Sequence, residues 1–187
     1  MEEPVRVLNE RGFETLNLPY PSFRKTLDEI VDQVARQIPP SSKPTHFVTH
    51  SMGGIVLRLL AKRYPELVTG KIVMLAPPNQ GSEIIDWLEE FPLARWSLGP
   101  GGISLSTDRV PKEVPELEND DEVFVLMGRK NTVPIFDFLL KGKNDGVVTV
   151  EGGRIKGMSR LEVFDADHTF IMGDDRVLQR VAELLTD

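Results

Sequence analysis

Val48-Thr49-His50-Ser51-Met52-Gly53-Gly54 is the stretch from which the rest of the chain is read. Before it, the apolar run Thr45 to Thr49 reads as a buried strand; behind it, Ile55, Leu57, Leu59 and Leu60 read as a helix. Ser51 therefore falls where a strand turns sharply into a helix, the arrangement of a nucleophile elbow. The turn exposes the serine hydroxyl above the end of the sheet, and Gly53 fits because a β-carbon there would press on the strand behind it. The helix N-terminus and the free Met52 N–H favour negative charge beside the serine oxygen, as an acyl-transfer intermediate requires.

Composition narrows the chemistry. The 187 residues are enough for one domain with a substantial core, and residues 1–187 are read as a single unit. A net charge of −7 without a basic block argues against nucleic acid and against a polybasic membrane anchor. The chain has no cysteine, which removes disulfides, thiolate nucleophiles and thiolate metal sites and leaves serine, threonine or carboxylate for covalent catalysis. Met1-Glu2-Glu3-Pro4 lacks the pattern of a signal peptide, and no apolar run reaches membrane-spanning length. The expectation is a cytoplasmic protein with no integral membrane segment, secretion staying open if residues precede Met1, and homo-oligomerisation is left open.

Along the chain, strand and helix signals alternate. Pro4 to Arg11 reads as a helix end capped by Gly12, and Phe13 to Leu18 as a strand. Ser22 is expected to cap an amphipathic helix carrying Phe23, Leu27, Ile30, Val31, Val34 and Ile38, ended by Pro39-Pro40. Further strands are expected at Lys71 to Leu75, Glu122 to Met127 and Leu161 to Phe164, with a β-like run at Val147 to Val150 and a short amphipathic piece at Ile135 to Leu140. A terminal helix from Asp174 carries Val177, Leu178, Val181, Leu184 and Leu185. This alternation implies a mostly parallel sheet with helices on both faces. Between about residues 80 and 120 strand signals vanish, and Trp87, Phe91, Trp96 and Leu98 suggest a small lid over the site or aromatics packed on the domain.

His50-Ser51-Met52-Gly53-Gly54, Leu75-Ala76-Pro77-Pro78-Asn79-Gln80-Gly81-Ser82, Asn144-Asp145-Gly146 and Asp167-His168-Thr169-Phe170 resemble the bacterial lipase and esterase branch of the α/β-hydrolase superfamily. The resemblance runs from about Asn9 to the C-terminus. It departs from the family at Thr49, which stands at the first glycine of Gly-x-Ser-x-Gly, and at the N-terminus, where the chain begins late. The resemblance implies the α/β-hydrolase fold and the chain order nucleophile, acid, histidine, which Ser51, Asp145 and His168 satisfy. His168 follows the last strand, whereas His46 reads as a strand-start residue and His50 as pointing away from the serine hydroxyl. Asp120 and Asp121 precede their strand, Asp137 lies in an apolar run, and Asp165 and Asp167 are too near His168 in sequence to reach its ring easily. Asp145 lies on a turn between Gly142 and Gly146, which turn chemistry alone also explains, and it is the resemblance of Asn144-Asp145-Gly146-Val147-Val148 to the family that implies its role as the acid. Asn79 to Ser82 either bound an acyl pocket or, through Ser82, cap the next helix.

The family's second oxyanion donor comes from a His-Gly loop after the third strand, and this chain has no His-Gly pair. The gap implies residues upstream of Met1, a displaced Phe13 to Leu18 strand, or another chain filling the place; for a complete chain, Phe13 to Leu18 pairs directly with Thr45 to Thr49. The resulting expectation is a serine hydrolase for a small apolar ester or lipid, with Met52 N–H at the oxyanion and with neither cofactor nor metal. A binding protein with a degenerate site and an acyltransferase are the alternatives.

Overall fold

The computed structural model describes residues 1–22, 24–117, 122–132, 134 and 138–186. The expectations placed on Phe23, Asp120, Asp121, Asp137 and the start of the Ile135 to Leu140 piece lie outside these residues. Helix α1 (Glu2–Glu10) is followed by α2 (Leu27–Gln37), β1 (Phe47–His50), α3 (Met52–Arg63) and β2 (Ile72–Leu75). Helices α4 (Glu83–Glu89), α5 (Pro92–Ile103) and α6 (Val110–Glu113) precede β3 (Val123–Gly128), β4 (Arg160–Phe164) and α7 (Asp175–Thr186). Among the described residues the strands form one parallel sheet in the order β1-β2-β3-β4.

Side-chain alternation explains why both faces are covered. Ile72 and Met74 of β2 and Val123, Val125 and Met127 of β3 pack against α2 and α3, through Ile30, Val31, Ile55 and Leu60. Val73, Leu75 and Leu126 face the other way, onto Leu8 of α1 and Val177, Val181 and Leu184 of α7. A central parallel strand is thus apolar at successive positions, which is why Ile72–Leu75 reads as an unbroken run.

Several sequence expectations are corrected. Phe13 to Leu18 forms no strand, so it does not pair with Thr45 to Thr49, and β1 is an edge strand of the described sheet. Alternation of side chains is satisfied by any half-buried extended path, and here the segment is tethered by Thr15 Oγ1 donating to Asn9 Oδ1 at 2.8 Å rather than by a ladder. The cap of α2 is Thr26, not Ser22: Glu29 N–H donates to Thr26 Oγ1 and the Glu29 carboxylate accepts from Thr26 N–H. Three residues after Ser22 stands Lys25, which cannot return such a bond.

Val147 to Val150 is a turn rather than a strand, because its amides are used locally. Val147 and Val148 N–H donate to Asp145 Oδ1, and Val150 N–H donates to the Lys143 carbonyl. Ser82 does occupy the N-cap position of α4, but its hydroxyl donates to the Val147 carbonyl at 3.3 Å instead of capping the helix. Between residues 80 and 117 the described chain carries the helices α4, α5 and α6 and no strand, and α5 is two pieces broken at Gly99, whose φ of 60° is followed by Pro100. No helix of the described residues is long and apolar enough to cross a membrane.

Candidate active site

Because the sheet is parallel, the ends of all four strands present their connecting loops on one edge, and the candidate residues gather there. Ser51 follows β1 at φ 52°, ψ −124°, a left-handed conformation that a side chain adopts at a cost of roughly 1–3 kcal/mol. The strain is imposed from both sides: Ser51 N–H remains in the sheet, donating to the Leu75 carbonyl at 2.9 Å, while its own carbonyl already accepts from Gly54 N–H. Met52 is the first residue of α3, so its N–H has no carbonyl four residues earlier within the helix to serve.

Close approach at the elbow falls most heavily on Gly54. A β-carbon there would stand 2.9 Å from Pro77 Cβ, whereas one on Gly53 would lie 3.3 Å from Thr49 Cβ and from the Tyr20 hydroxyl. Thr49, at the position where glycine was expected, therefore faces two glycines and is accommodated by them. Its Oγ1 is buried and has no hydrogen-bond partner among the described residues.

The other two residues arrive from separate loops. Asp145, 1% exposed, sits between β3 and β4; one carboxylate oxygen accepts from Val147 and Val148 N–H at 3.0 and 2.8 Å. The other, Oδ2, lies 2.8 Å from His168 Nδ1, and His168 Nε2 lies 2.9 Å from Ser51 Oγ. A carboxylate only accepts, so Nδ1 carries the proton and Nε2 is left to accept from the serine hydroxyl. His168 N–H also donates to the Asp145 carbonyl at 3.0 Å. The structure thus brings Ser51, Asp145 and His168 into one hydrogen-bonded chain, with Met52 N–H beside the serine. Asp167 does not compete as a partner, since its Oδ1 caps the turn at Thr169 and Phe170 N–H.

Two residues that sequence reasoning left unassigned shape this arrangement. His50 Nε2 lies 2.8 Å from the His168 carbonyl, and the two imidazole rings are 5.1 Å apart between centroids. Burial, chiefly, and the neighbouring His168 push the His50 imidazole down to about 4, so it is neutral at ordinary pH. Gly128 ends β3 beneath the acid loop, where a β-carbon would stand 2.4 Å from the Ala166 carbonyl oxygen and 2.8 Å from Asp145 Cβ. A signal for His50 was present in its adjacency to Ser51; Gly128 gave none without the fold.

Beside Ser51 runs a groove of about 1610 Å³. Phe47 to His50 of the edge strand β1 line it together with Ser51, and Ile85, Leu98, Leu105, Val147 and Val148 are among its apolar lining residues. Leu98 is buried, whereas Trp96 of the same helix is 80% exposed and Trp87 packs on Phe91 at 4.8 Å. Of the four residues read as a lid, only Leu98 is among the groove's lining residues. Asn79 is fully buried, donating to the Gly153 carbonyl, while the Arg58 guanidinium donates to the Asn79 and Val114 carbonyls. Asn79 therefore ties loops together rather than facing the groove.

No family model and no curated protein matches the sequence. Solved structures match its fold. The Bacillus licheniformis lipase BlEst2 in its mature form is 21% identical over 86% of this chain and 70% of its own, with a TM-score of 0.62. Phospholipase PlaB from Legionella pneumophila is 16% identical over 100% of this chain and 56% of its own, at 0.77. The chain has the α/β-hydrolase fold. The Staphylococcus hyicus lipase shares that α/β-hydrolase fold at 13% identity, over 98% of this chain and 87% of its own, with a TM-score of 0.65. The chain spans just over half the length of the Legionella protein.

Proposed function

We propose that the protein is a serine hydrolase that cleaves carboxylic esters of small apolar or lipid substrates. The observation that carries the reading is the bonded series Ser51 Oγ, His168 Nε2, His168 Nδ1, Asp145 Oδ2, attached to a strained elbow at the head of a helix. Ser51 attacks the acyl carbon while His168 Nε2 takes the hydroxyl proton; Asp145 holds the ring in the required tautomer and stabilises the imidazolium. The carbonyl electrons move to an oxyanion facing Met52 N–H, aided by the α3 dipole. As that tetrahedral intermediate collapses, the alcohol leaves with the His168 proton, and the acyl group stays on Ser51. Water then attacks the ester, giving its proton to His168, and the second collapse returns the proton to Ser51 and releases the acid.

The apolar residues of the groove that Ser51 lines favour an acyl chain over a charged substrate. The solved lipases and the phospholipase that share the fold make lipid esters the first class to test. The test is hydrolysis of p-nitrophenyl esters of increasing acyl length by the wild type and by Ser51→Ala. Turnover that depends on chain length and vanishes in the variant is the expected result. Turnover unchanged in Ser51→Ala contradicts the reading, and product analysis with an added alcohol separates hydrolysis from acyl transfer.

A further inference from the structure

We propose that His50 is a positioning residue that fixes the loop carrying the general base, through a hydrogen bond from its Nε2–H to the His168 main-chain carbonyl. This rests on the reading of Ser51, His168 and Asp145 as nucleophile, base and acid.

The main chain of β1 explains the direction of the His50 side chain. Phe47 N–H donates to the Lys71 carbonyl and Ser51 N–H to the Leu75 carbonyl, so the alternate peptide groups are committed to β2. The side chain of Thr49 packs toward α3, against Gly53. The next side chain in the strand, His50, projects from the opposite face, toward the loop that follows β4. There its ring meets the ring and carbonyl of His168. A carbonyl oxygen only accepts, so His50 is the Nε2–H tautomer.

The bond closes a ring. Ser51 is joined covalently to His50, His50 to the His168 carbonyl, and the His168 imidazole returns to Ser51 Oγ. His168 is further held by its N–H on the Asp145 carbonyl and its Nδ1 on Asp145 Oδ2. The peptide groups on both sides of its Cα are therefore fixed, and swinging Nε2 from the serine oxygen to a leaving oxygen is a rotation of the ring alone. His50 also tolerates the reaction's charge. When His168 becomes an imidazolium, a neutral ring stands 5.1 Å away, where a second cation would oppose proton transfer. A misplacement of about 1 Å at a reacting atom costs roughly a hundredfold in rate, which is the scale on which a loosened loop acts.

The test compares His50→Phe, which keeps a ring but loses the donor, with His50→Gln, whose amide N–H reaches a similar distance. His50→Phe is expected to lower kcat by roughly tenfold to a hundredfold with little change in KM, and His50→Gln to recover most of the loss. A residue serving stability alone would move melting temperature without this split or rescue. NMR of the labelled imidazoles needs no turnover, so it decides the point whether or not Ser51 is nucleophilic. In the wild type His50 should carry its proton on Nε2, and the hydrogen-bonded Nδ1 proton of His168 should be visible in wild type and His50→Gln and lost to exchange in His50→Phe. A His50 protonated on Nδ1 in the wild type would overturn the proposal even if His50→Phe fails to fold. So would a folded His50→Phe with unchanged His168 resonance and unchanged kcat.

Discussion

Gly128 and Asp145 meet so closely that a β-carbon on the glycine would stand 2.8 Å from Asp145 Cβ, with the Ala166 carbonyl oxygen at 2.4 Å on the same side. Both neighbours are parts of the loops that carry the acid and the base. Gly128→Ala forces one of them to move, at a cost of about 1–3 kcal/mol in stability. Displacement of the acid should lower kcat for the best ester by roughly tenfold to a hundredfold while KM stays near wild type. Unchanged kcat in a folded Gly128→Ala would show that the loops have slack the packing does not suggest.

Asp145→Asn tests the acid separately from its loop. The asparagine fits the same space but offers His168 Nδ1 an amide that can donate, which favours the wrong ring tautomer. Loss of activity by roughly a thousandfold to ten thousandfold is expected. Steady-state kinetics with a p-nitrophenyl ester measures it, and circular dichroism confirms that the fold survives.

His50 also links stability to acid. Its imidazole is held at about 4 in the fold against an ordinary value near 6.5, so the fold favours the neutral ring. The unfolded chain takes up a proton that the folded chain refuses between those two values. The stabilisation is therefore complete above about pH 6.5 and is lost as pH falls toward 4, amounting to on the order of 3 kcal/mol at most. Wild type should lose stability over that window relative to His50→Gln, as urea unfolding at pH 7, 5.5 and 4.5 would reveal. Parallel curves for the two proteins would contradict the shift. His46 is held low by burial too, but it is common to both proteins and cancels in the comparison.

Arg58 is the largest fully buried side chain among the described residues, and its guanidinium donates to the carbonyls of Pro115, Asn79 and Val114 from the middle of α3. Burial pushes it down to about 10, still fully charged at neutral pH. Arg58→Met keeps much of the apolar stem but leaves three carbonyls without their donor, at a cost of about 3–5 kcal/mol. Thermal unfolding measures this, and a melting temperature within a degree or two of wild type would show that other donors reach those carbonyls.

The turn at Ser51 and the places of the four strands along the chain were legible in the sequence for physical reasons, and Ser51, Asp145 and His168 could be named there as candidates. Ser51 sits between an apolar strand and an apolar helix, and Ile72–Leu75 is apolar at every position because both faces are buried. What misled was local pattern without a partner. Phe13 to Leu18 alternates like a strand, yet alternation reports only a half-buried path and says nothing of a neighbouring ladder. Val147 to Val150 is β-branched at every position, but the Asp145 carboxylate captures two of its amides and folds it into a turn. Gly128 and the His50 contact lay beyond reach because each depends on a residue more than fifteen positions away.

The central claim is that Ser51 is an activated nucleophile, and intact-mass analysis after exposure to a fluorophosphonate tests it without any choice of substrate. The account predicts one phosphonyl adduct per chain of wild type, placed on Ser51 by peptide mapping and absent from Ser51→Ala. A folded wild type that stays unlabelled, or a Ser51→Ala variant that labels as fast, would contradict it.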